Sequence, residues 1–505
     1  MLEFLAEFTV LKTVASLFLA GPALLWIYFP AYFRRIWERF TGRIPPGPLA
    51  FPILGNIDVD RQHPELTFRK WATQYGRVFS FFLGDRFCIG LADMKLMRKV
   101  LKDDRFSGRA NAGIFAHLEE DLTKGIAFSN GELWKEHRTF SISALRDSGN
   151  GKSDSSVYVE KETANLLAAM NSMNGTPFDP KHLFIGAAAN VLSSLLWSGT
   201  FQPDDSSFNG FVSNIEKNLQ EFANAVMMEV YPWLRKIYPF TNKFRRLNTR
   251  VGKAMGFLKN VVQEHKKTFD PAHPRDYCDA FFAIQRNQAK KAECDQTFTD
   301  LQLVRNLADI YITGYETTAT FLRWCMVYII LHQDVQERVQ DEIDAVVGKF
   351  RYPTPEDEQN MPYTKAVITE IHRISSFVPF AVPHCTTEDV ELEGFAIPKG
   401  TEVWPVVCHH FMNSEIWGDP ETFRPERFLD AAGVLIPGLV QEVQPYGVGR
   451  RACVGEPLAK AEIFSFFTSI LQKFTIISPT APSLVPVVTQ VLAPAPFTMV
   501  ARRRN

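Results

Sequence analysis

The 505-residue sequence predicts a mainly α fold with small β-sheets and an N-terminal transmembrane helix. Three patterns carry that prediction. Apolar residues recur at three-to-four spacing over residues 301–332, 366–374 and 458–474, the period of a helix with a buried face. Short runs rich in β-branched and aromatic residues at 78–82, 87–91, 390–397 and 476–500 are bounded by turn signals such as Pro398-Lys399-Gly400, and read as strands of small sheets beside a helical core. Residues 8–29 are apolar except for Lys12 and long enough to cross a bilayer core of about 30 Å.

Within the apolar stretch Pro22 is a candidate kink. Trp26, Tyr28, Tyr32 and Trp37 crowd its far end like an interfacial belt, and Arg34, Arg35, Arg39 and Arg43 follow, so the positive end is expected to stay in the cytosol. Glu3 and Glu7 stand where a cleaved secretory signal would carry basic residues, and the run is too long for one. The organisation expected is an anchor over 1–33, a basic and proline-rich linker over 34–48, and one catalytic domain over 49–505. Pro45, Pro46 and Pro48 make the linker a stiff spacer that no helix or strand runs through. No internal repeat or low-complexity tract divides the rest, and the longest candidate loops, 148–156 and 270–277, are short.

With 55 basic and 56 acidic residues the formal net charge is -1, and no basic stripe appears, which argues against nucleic acid as a partner. Hydrophobic residues make up 46% of the chain, enough for a large core with room for a sizeable ligand. Seven cysteines without CxxC spacing argue against a disulfide framework and against structural zinc, and place the catalytic part in a reducing compartment.

One cysteine differs from the others. Gly447, Gly449 and Gly455 permit a tight turn around Cys453, and an amphipathic helix follows whose N-terminal N–H groups point toward the sulfur. Such a setting favours thiolate, and Arg451 adds a positive charge able to pair with a carboxylate. Elsewhere, Glu370 and Arg373 are neighbours at i and i+3, which by chemistry alone reads as a solvated salt bridge. Taken singly, Trp134 reads as core and His384 as a surface or capping residue.

The stretch around Cys453 resembles the haem-binding loop of the cytochrome P450 family, F-x-x-G-x-R-x-C-x-G. Gly449, Arg451, Cys453 and Gly455 fall on its fixed positions, and Tyr446 replaces the phenylalanine. Residues 313–318 resemble the family's oxygen-activation signature, [A/G]-G-x-[D/E]-T-[T/S], with Thr313 departing at the first position. Val382-Pro383-His384 and residues 145–152 look like the microsomal family 2-like subgroup, and the likeness runs from the proline hinge to the last hairpin.

The resemblance implies the cytochrome P450 fold, a helical prism around haem b, with Cys453 as the metal ligand. It implies that Thr317 and Glu316 are catalytic and relay protons beside a groove at Gly314, and that Trp134, Arg138, His384 and Arg451 reach the haem carboxylates, with Gly449, Gly455 and Tyr446 shaping the loop. Glu370, Arg373 and Arg427 become a buried structural network. Phe115, Ala308, Thr313, Val378 and Val382 become the lining of an apolar substrate pocket.

The activity implied is insertion of one oxygen atom from dioxygen into a lipophilic small molecule. No G-x-G-x-x-G and no flavin-like domain occur in the chain, so NADPH must act through a partner, NADPH-cytochrome P450 reductase, with cytochrome b5 as a second candidate. Docking is expected on the face of Lys135, Arg138, Arg450 and Lys460. Tyr231, Trp233, Ile237 and Tyr238, interleaved with Arg235 and Lys236, are expected to dip into the membrane interface. The expected location is the endoplasmic reticulum membrane, single-pass, with the catalytic domain in the cytosol. Two rivals are a haem-thiolate isomerase or dehydratase that needs no reductase, against which the Glu316-Thr317 pair argues, and a haem-binding sensor, in which Thr317→Ala should change nothing.

Overall fold

The computed structural model describes residues 30–60, 62–110, 124–150, 155–202, 204–288 and 296–504. The apolar stretch at 8–29 lies outside them, and among the described residues no helix is long and apolar enough to cross a membrane.

The helices that position the site are α1 (Pro30–Phe40), α2 (Gly131–Asn150), α3 (Lys181–Trp197), α4 (Ser206–Gln220), α5 (Phe240–Lys267), α6 (Asp300–Leu331), α7 (Gln333–Val346), α8 (Pro362–Ser375) and α9 (Glu456–Lys473). α6 is the axis of the core. Thr299 caps it by accepting from the Gln302 amide, and its 32 residues span about 48 Å. Leu303, Leu307, Tyr311, Phe321, Met326 and Ile329 of this helix are all fully buried, which is why its sequence is apolar nearly all round. Gly314 does not break it. A Cβ there would lie 2.7 Å from Leu192 Cδ1 of α3, so the glycine lets the two helices approach closely, and the groove expected at this position is filled by Leu192.

The small sheets follow the expected runs. β1 (Val78–Leu83), β2 (Arg86–Leu91), β3 (His384–Cys385) and β6 (Glu402–Pro405) form one sheet in the order β1-β2-β6-β3, with β2 and β6 parallel and the other pairs antiparallel. β4 (Val390–Leu392) and β5 (Phe395–Ile397) are a hairpin turning at Glu393 and Gly394, both with positive φ. β7 (Phe474–Ile477) pairs with β10 (Val500–Arg503), and β8 (Pro486–Val488) with β9 (Leu492–Pro494).

Two segments differ from expectation. Residues 34–40 of the linker are helical, and the prolines that follow are docked rather than free: Ser80 N donates to Pro46 O at 2.7 Å, while Arg39 reaches Pro48 O at 2.6 Å and Ser80 Oγ at 2.8 Å. A Cβ on Gly47 would overlap the Ser80 carbonyl, so only glycine allows that contact. The loop expected at 148–156 is shorter, since α2 runs through Asn150 and the next helix starts at Ser155.

Candidate functional site

The Cys453 loop is held by its own backbone. Gly447 and Gly449 have φ of 74° and 81°, and a Cβ on Gly449 would stand 1.9 Å from the Leu101 carbonyl oxygen. Cys453 N donates to Tyr446 O at 2.9 Å, and Arg450 N to Leu101 O at 3.1 Å. The amides of Gly455 and Glu456, at the start of α9, hydrogen-bond toward the sulfur. Enclosure by the surrounding protein raises the thiol pKa while these amides, as the sequence suggests, and Arg138 lower it, on a residue that is itself exposed. A coordinated metal ion would hold the sulfur as thiolate, because a ligating thiol is deprotonated outright.

Three guanidinium groups converge beside this loop. Arg451 donates to Ser107 O at 2.9 Å and Ser129 O at 2.7 Å, and its guanidinium lies 3.8 Å from the Trp134 ring centroid. Arg138, one turn after Trp134 on α2, donates to Ala452 O at 2.6 Å. Arg109, which the sequence reading did not single out, donates to Ala127 O, Val382 O and Pro383 O at 3.0–3.1 Å. Among the described residues none of the three has a carboxylate within ion-pair distance. Burial, and then mutual repulsion, bring Arg451 down to about 8; burial and Arg138 bring Arg109 down to about 9. Trp134 Nε1 is buried with no hydrogen-bond partner among the described residues. Three uncompensated cations and an orphaned donor fit a group carrying carboxylates, and the sulfur at the head of α9 fits its metal; the residues present suit haem.

His384 lies on β3 against the same cluster. Its Nδ1 is 2.8 Å from the Phe106 carbonyl and must carry the proton there. Burial, Arg109 and Arg451 hold the ring neutral, with a pKa near about 3. Nε2 is then an acceptor, so it can donate to a carboxylate only once that carboxylate has raised the imidazole's basicity. Tyr446 is packed against buried His372, ring centroids 5.7 Å apart, and burial with the nearby Cys453 pushes its phenol well up, so it stays protonated.

On α6, Thr313 and Thr317 sit one turn apart on an accessible face, Thr317 Oγ1 donating back to Thr313 O at 2.7 Å. The Oε2 of Glu316, the residue before Thr317, is sealed from solvent with no hydrogen-bond partner among the described residues, and burial raises its pKa. Next along the helix, Thr318 donates to Glu462 of α9 at 3.1 Å, a carboxyl that burial lifts to about 8. One turn before Thr313, Asp309 accepts the amides of Ile126 and Ala127 at 2.7 and 2.9 Å, pinning the loop that Arg451 grips; burial lifts it to about 6. Neither Asp309 nor Glu462 belongs to a motif, and the one available signal was a carboxylate inside an apolar helix. Of the expected pocket residues, Ala308 is buried, Val378 partly buried, Thr313 exposed and Val382 45% exposed, while Phe115 lies outside the described residues.

Glu370 accepts from Arg373 at 2.7 and 2.8 Å and from Arg427 at 3.0 Å, and Arg373 and Arg427 donate on to the Phe411 and Trp417 carbonyls at 2.8 Å. The trio is buried, not the solvated pair that spacing alone suggests. On the expected docking face three of the four cations are already paired: Lys135 with Glu132, Lys460 with Glu456 and Arg450 with Asp104. The face is mixed in sign rather than a plain positive patch.

The sequence pattern of the family described as Cytochrome P450 matches residues 45–499 of this chain. Similar proteins include Cytochrome P450 2D20 of Mesocricetus auratus, 36% identical over 93% of this chain and 94% of that protein. Cytochrome P450 2D3 of Rattus norvegicus is 35% identical over 92% and 94%, and Cytochrome P450 2B4 of Oryctolagus cuniculus is 33% identical over 94% of each.

Proposed function

This chain belongs to the cytochrome P450 family of haem-thiolate monooxygenases, and from that premise we propose that it hydroxylates or otherwise oxygenates a lipophilic substrate at the endoplasmic reticulum membrane, with electrons from NADPH-cytochrome P450 reductase and cytochrome b5 as a second donor. The observation that carries the reading is the pairing of Cys453, at the head of α9, with the uncompensated Arg109, Arg138 and Arg451 cluster. Haem, when bound, supplies the iron that activates dioxygen. Cys453 would ligate its iron, and Trp134, Arg109, Arg138, Arg451 and His384 would hold its carboxylates. Gly449 and Gly455 would keep backbone close to the sulfur, and the Tyr446 hydroxyl would tune it.

In this reading the Thr317 hydroxyl, on the accessible face of α6, orders water and donates protons, and Glu316 recharges it. Ala308, Thr313, Val378 and Val382, with Phe115, orient an apolar substrate over that face. Glu370, Arg373 and Arg427 keep the Cys453 side of the core in place.

Residues 1–33 would anchor the chain, 34–48 would join anchor to body, and 49–505 would form the catalytic domain. Exposed Trp233, Ile237 and Tyr238 support a membrane-facing surface, because Tyr231 OH ties their segment to Leu54 O, beside exposed Leu49, Phe51 and Ile53.

The test is a carbon monoxide difference spectrum of the reduced full-length protein in detergent, beside Cys453→Ser. A strongly red-shifted Soret band in the parent, lost in the variant, is the expected result. Equal spectra in the two proteins, or a parent that binds no haem, would overturn the assignment of Cys453. Product formation without any reductase would favour the isomerase reading.

A further inference from the structure

Asn130 ends the loop that Arg451 grips and immediately precedes α2, the helix that carries Trp134 and Arg138. Its side chain makes a two-bond clasp with the backbone of Arg109: Oδ1 accepts from Arg109 N at 2.7 Å, and Nδ2 donates to Arg109 O at 3.1 Å. Because one partner is an N–H and the other a carbonyl, only one orientation of the amide fits. Arg451 Nη2, which donates to Ser129 O at 2.7 Å, reaches the same Oδ1 at 3.5 Å. A helix cap would spend this oxygen on the free amides in the first turn of α2, whereas here it goes to Arg109. On its other side the Arg109 segment is tied to β3, where Cys385 N donates to Gly108 O at 2.7 Å beside His384. One exposed side chain therefore joins the backbone of one arginine, the guanidinium of a second and the head of the helix bearing the third.

We propose that Asn130 is the positioning residue of the carboxylate clamp: it holds Arg109 and Arg451 in register with Trp134 and Arg138 while adding no charge of its own. The proposal rests on the reading of Arg109, Arg138 and Arg451 as the groups that hold the carboxylates of haem. Neutrality of the amide matters as much as its reach. An acidic side chain at this point would accept from Arg109 N and Arg451 as well, but its second oxygen would face the Arg109 carbonyl and its charge would occupy the cations. Guanidinium groups that repel one another stay available to a ligand's carboxylates only if whatever spaces them is uncharged. Asn130 acts through the arginines and needs no contact with haem itself.

The experiment uses the full chain with haem bound, in detergent. Two quantities are measured: the rate of haem transfer to an acceptor apoprotein, and the bending band of the haem carboxylates in resonance Raman spectra, which follows their hydrogen bonding. The carbon monoxide Soret band is recorded for each variant, so that both are compared on intact thiolate ligation. Asn130→Ala is expected to speed haem loss about tenfold and to shift the carboxylate band. Asn130→Asp, which keeps the shape of the side chain, is expected to shift the band as well and to lose haem about tenfold faster again, because it adds a competing carboxylate. A clasp that only secured the loop would rank the two the other way, since Asp retains the bond from Arg109 N. That reverse order, or a carboxylate band at the parent's position in both variants, would overturn the proposal while Arg451→Gln still changes both quantities. If Arg451→Gln changes neither, the underlying reading of the arginines fails as well.

Discussion

Two arginine clusters flank the core, and they differ in one respect. Around Glu370, both guanidinium groups share a buried carboxylate, Arg427 also reaches Asp419 Oδ1 at 3.1 Å, and the other donors go to backbone carbonyls. Beside Cys453, Arg109, Arg138 and Arg451 also hold carbonyls, but among the described residues no carboxylate pairs with them. A closed network is complete without a ligand and serves the fold. An open one carries repulsion until an anion arrives, so its charge is available for binding.

Glu370→Ala should have the largest effect, because it leaves Arg373 buried and unpaired and Arg427 with only the half-exposed Asp419, at a cost of about 3–5 kcal/mol. Denaturant unfolding of the haem-free protein measures it. A loss no greater than that of a surface salt bridge would erase the distinction between the two clusters.

Asp309 tests the boundary, since it holds the loop gripped by Arg451 through amides rather than through a guanidinium. Its folded pKa of about 6 lies above the ordinary 3.8, so the native state binds its proton more tightly than the unfolded chain does. That contribution to stability is complete below about pH 4, is lost as pH rises through about 6, and amounts to about 3 kcal/mol. Asp309→Asn keeps an oxygen for the amides and removes the charge. Its stability relative to the parent should therefore be clearly better at about pH 8 than at about pH 4 in thermal melts. A difference that does not change with pH would refute the assignment.

Arg138→Ala should leave haem-free stability within about 1 kcal/mol, since it removes one hydrogen bond and one repelling charge, yet speed haem loss about tenfold or more. Transfer of haem to an acceptor apoprotein measures the rate. The smallest effect is expected for Trp134→Phe, which deletes an unpartnered N–H. Haem-free stability should hold or rise slightly while haem loss quickens several-fold, about 1 kcal/mol. Equal losses with and without haem in either variant would make the open cluster structural after all.

The motif around Cys453 and the Glu370-Arg373 spacing were legible because glycines in a bend and charges at i and i+3 are local properties. Arg109 and Asp309 were not, since a loop that packs onto a helix about two hundred residues away leaves no local period. The thiol shows the same limit in its energetics. The helix terminus is visible in the chain and favours thiolate, whereas the Arg138 charge and the enclosure acting on the sulfur come from how other segments pack around the loop. Gly314 was read as a groove, and Leu192 of another helix occupies it.

What the sequence by itself determined is therefore the period of the helices, the short strands between turn signals, and the reactive loop, because backbone propensity and dipoles act over a few residues. Only the tertiary structure decided which carboxylates are buried, which arginines are compensated and which nitrogen of His384 is committed. Desolvation and long-range pairing set those outcomes, and both exist only once distant segments are packed together.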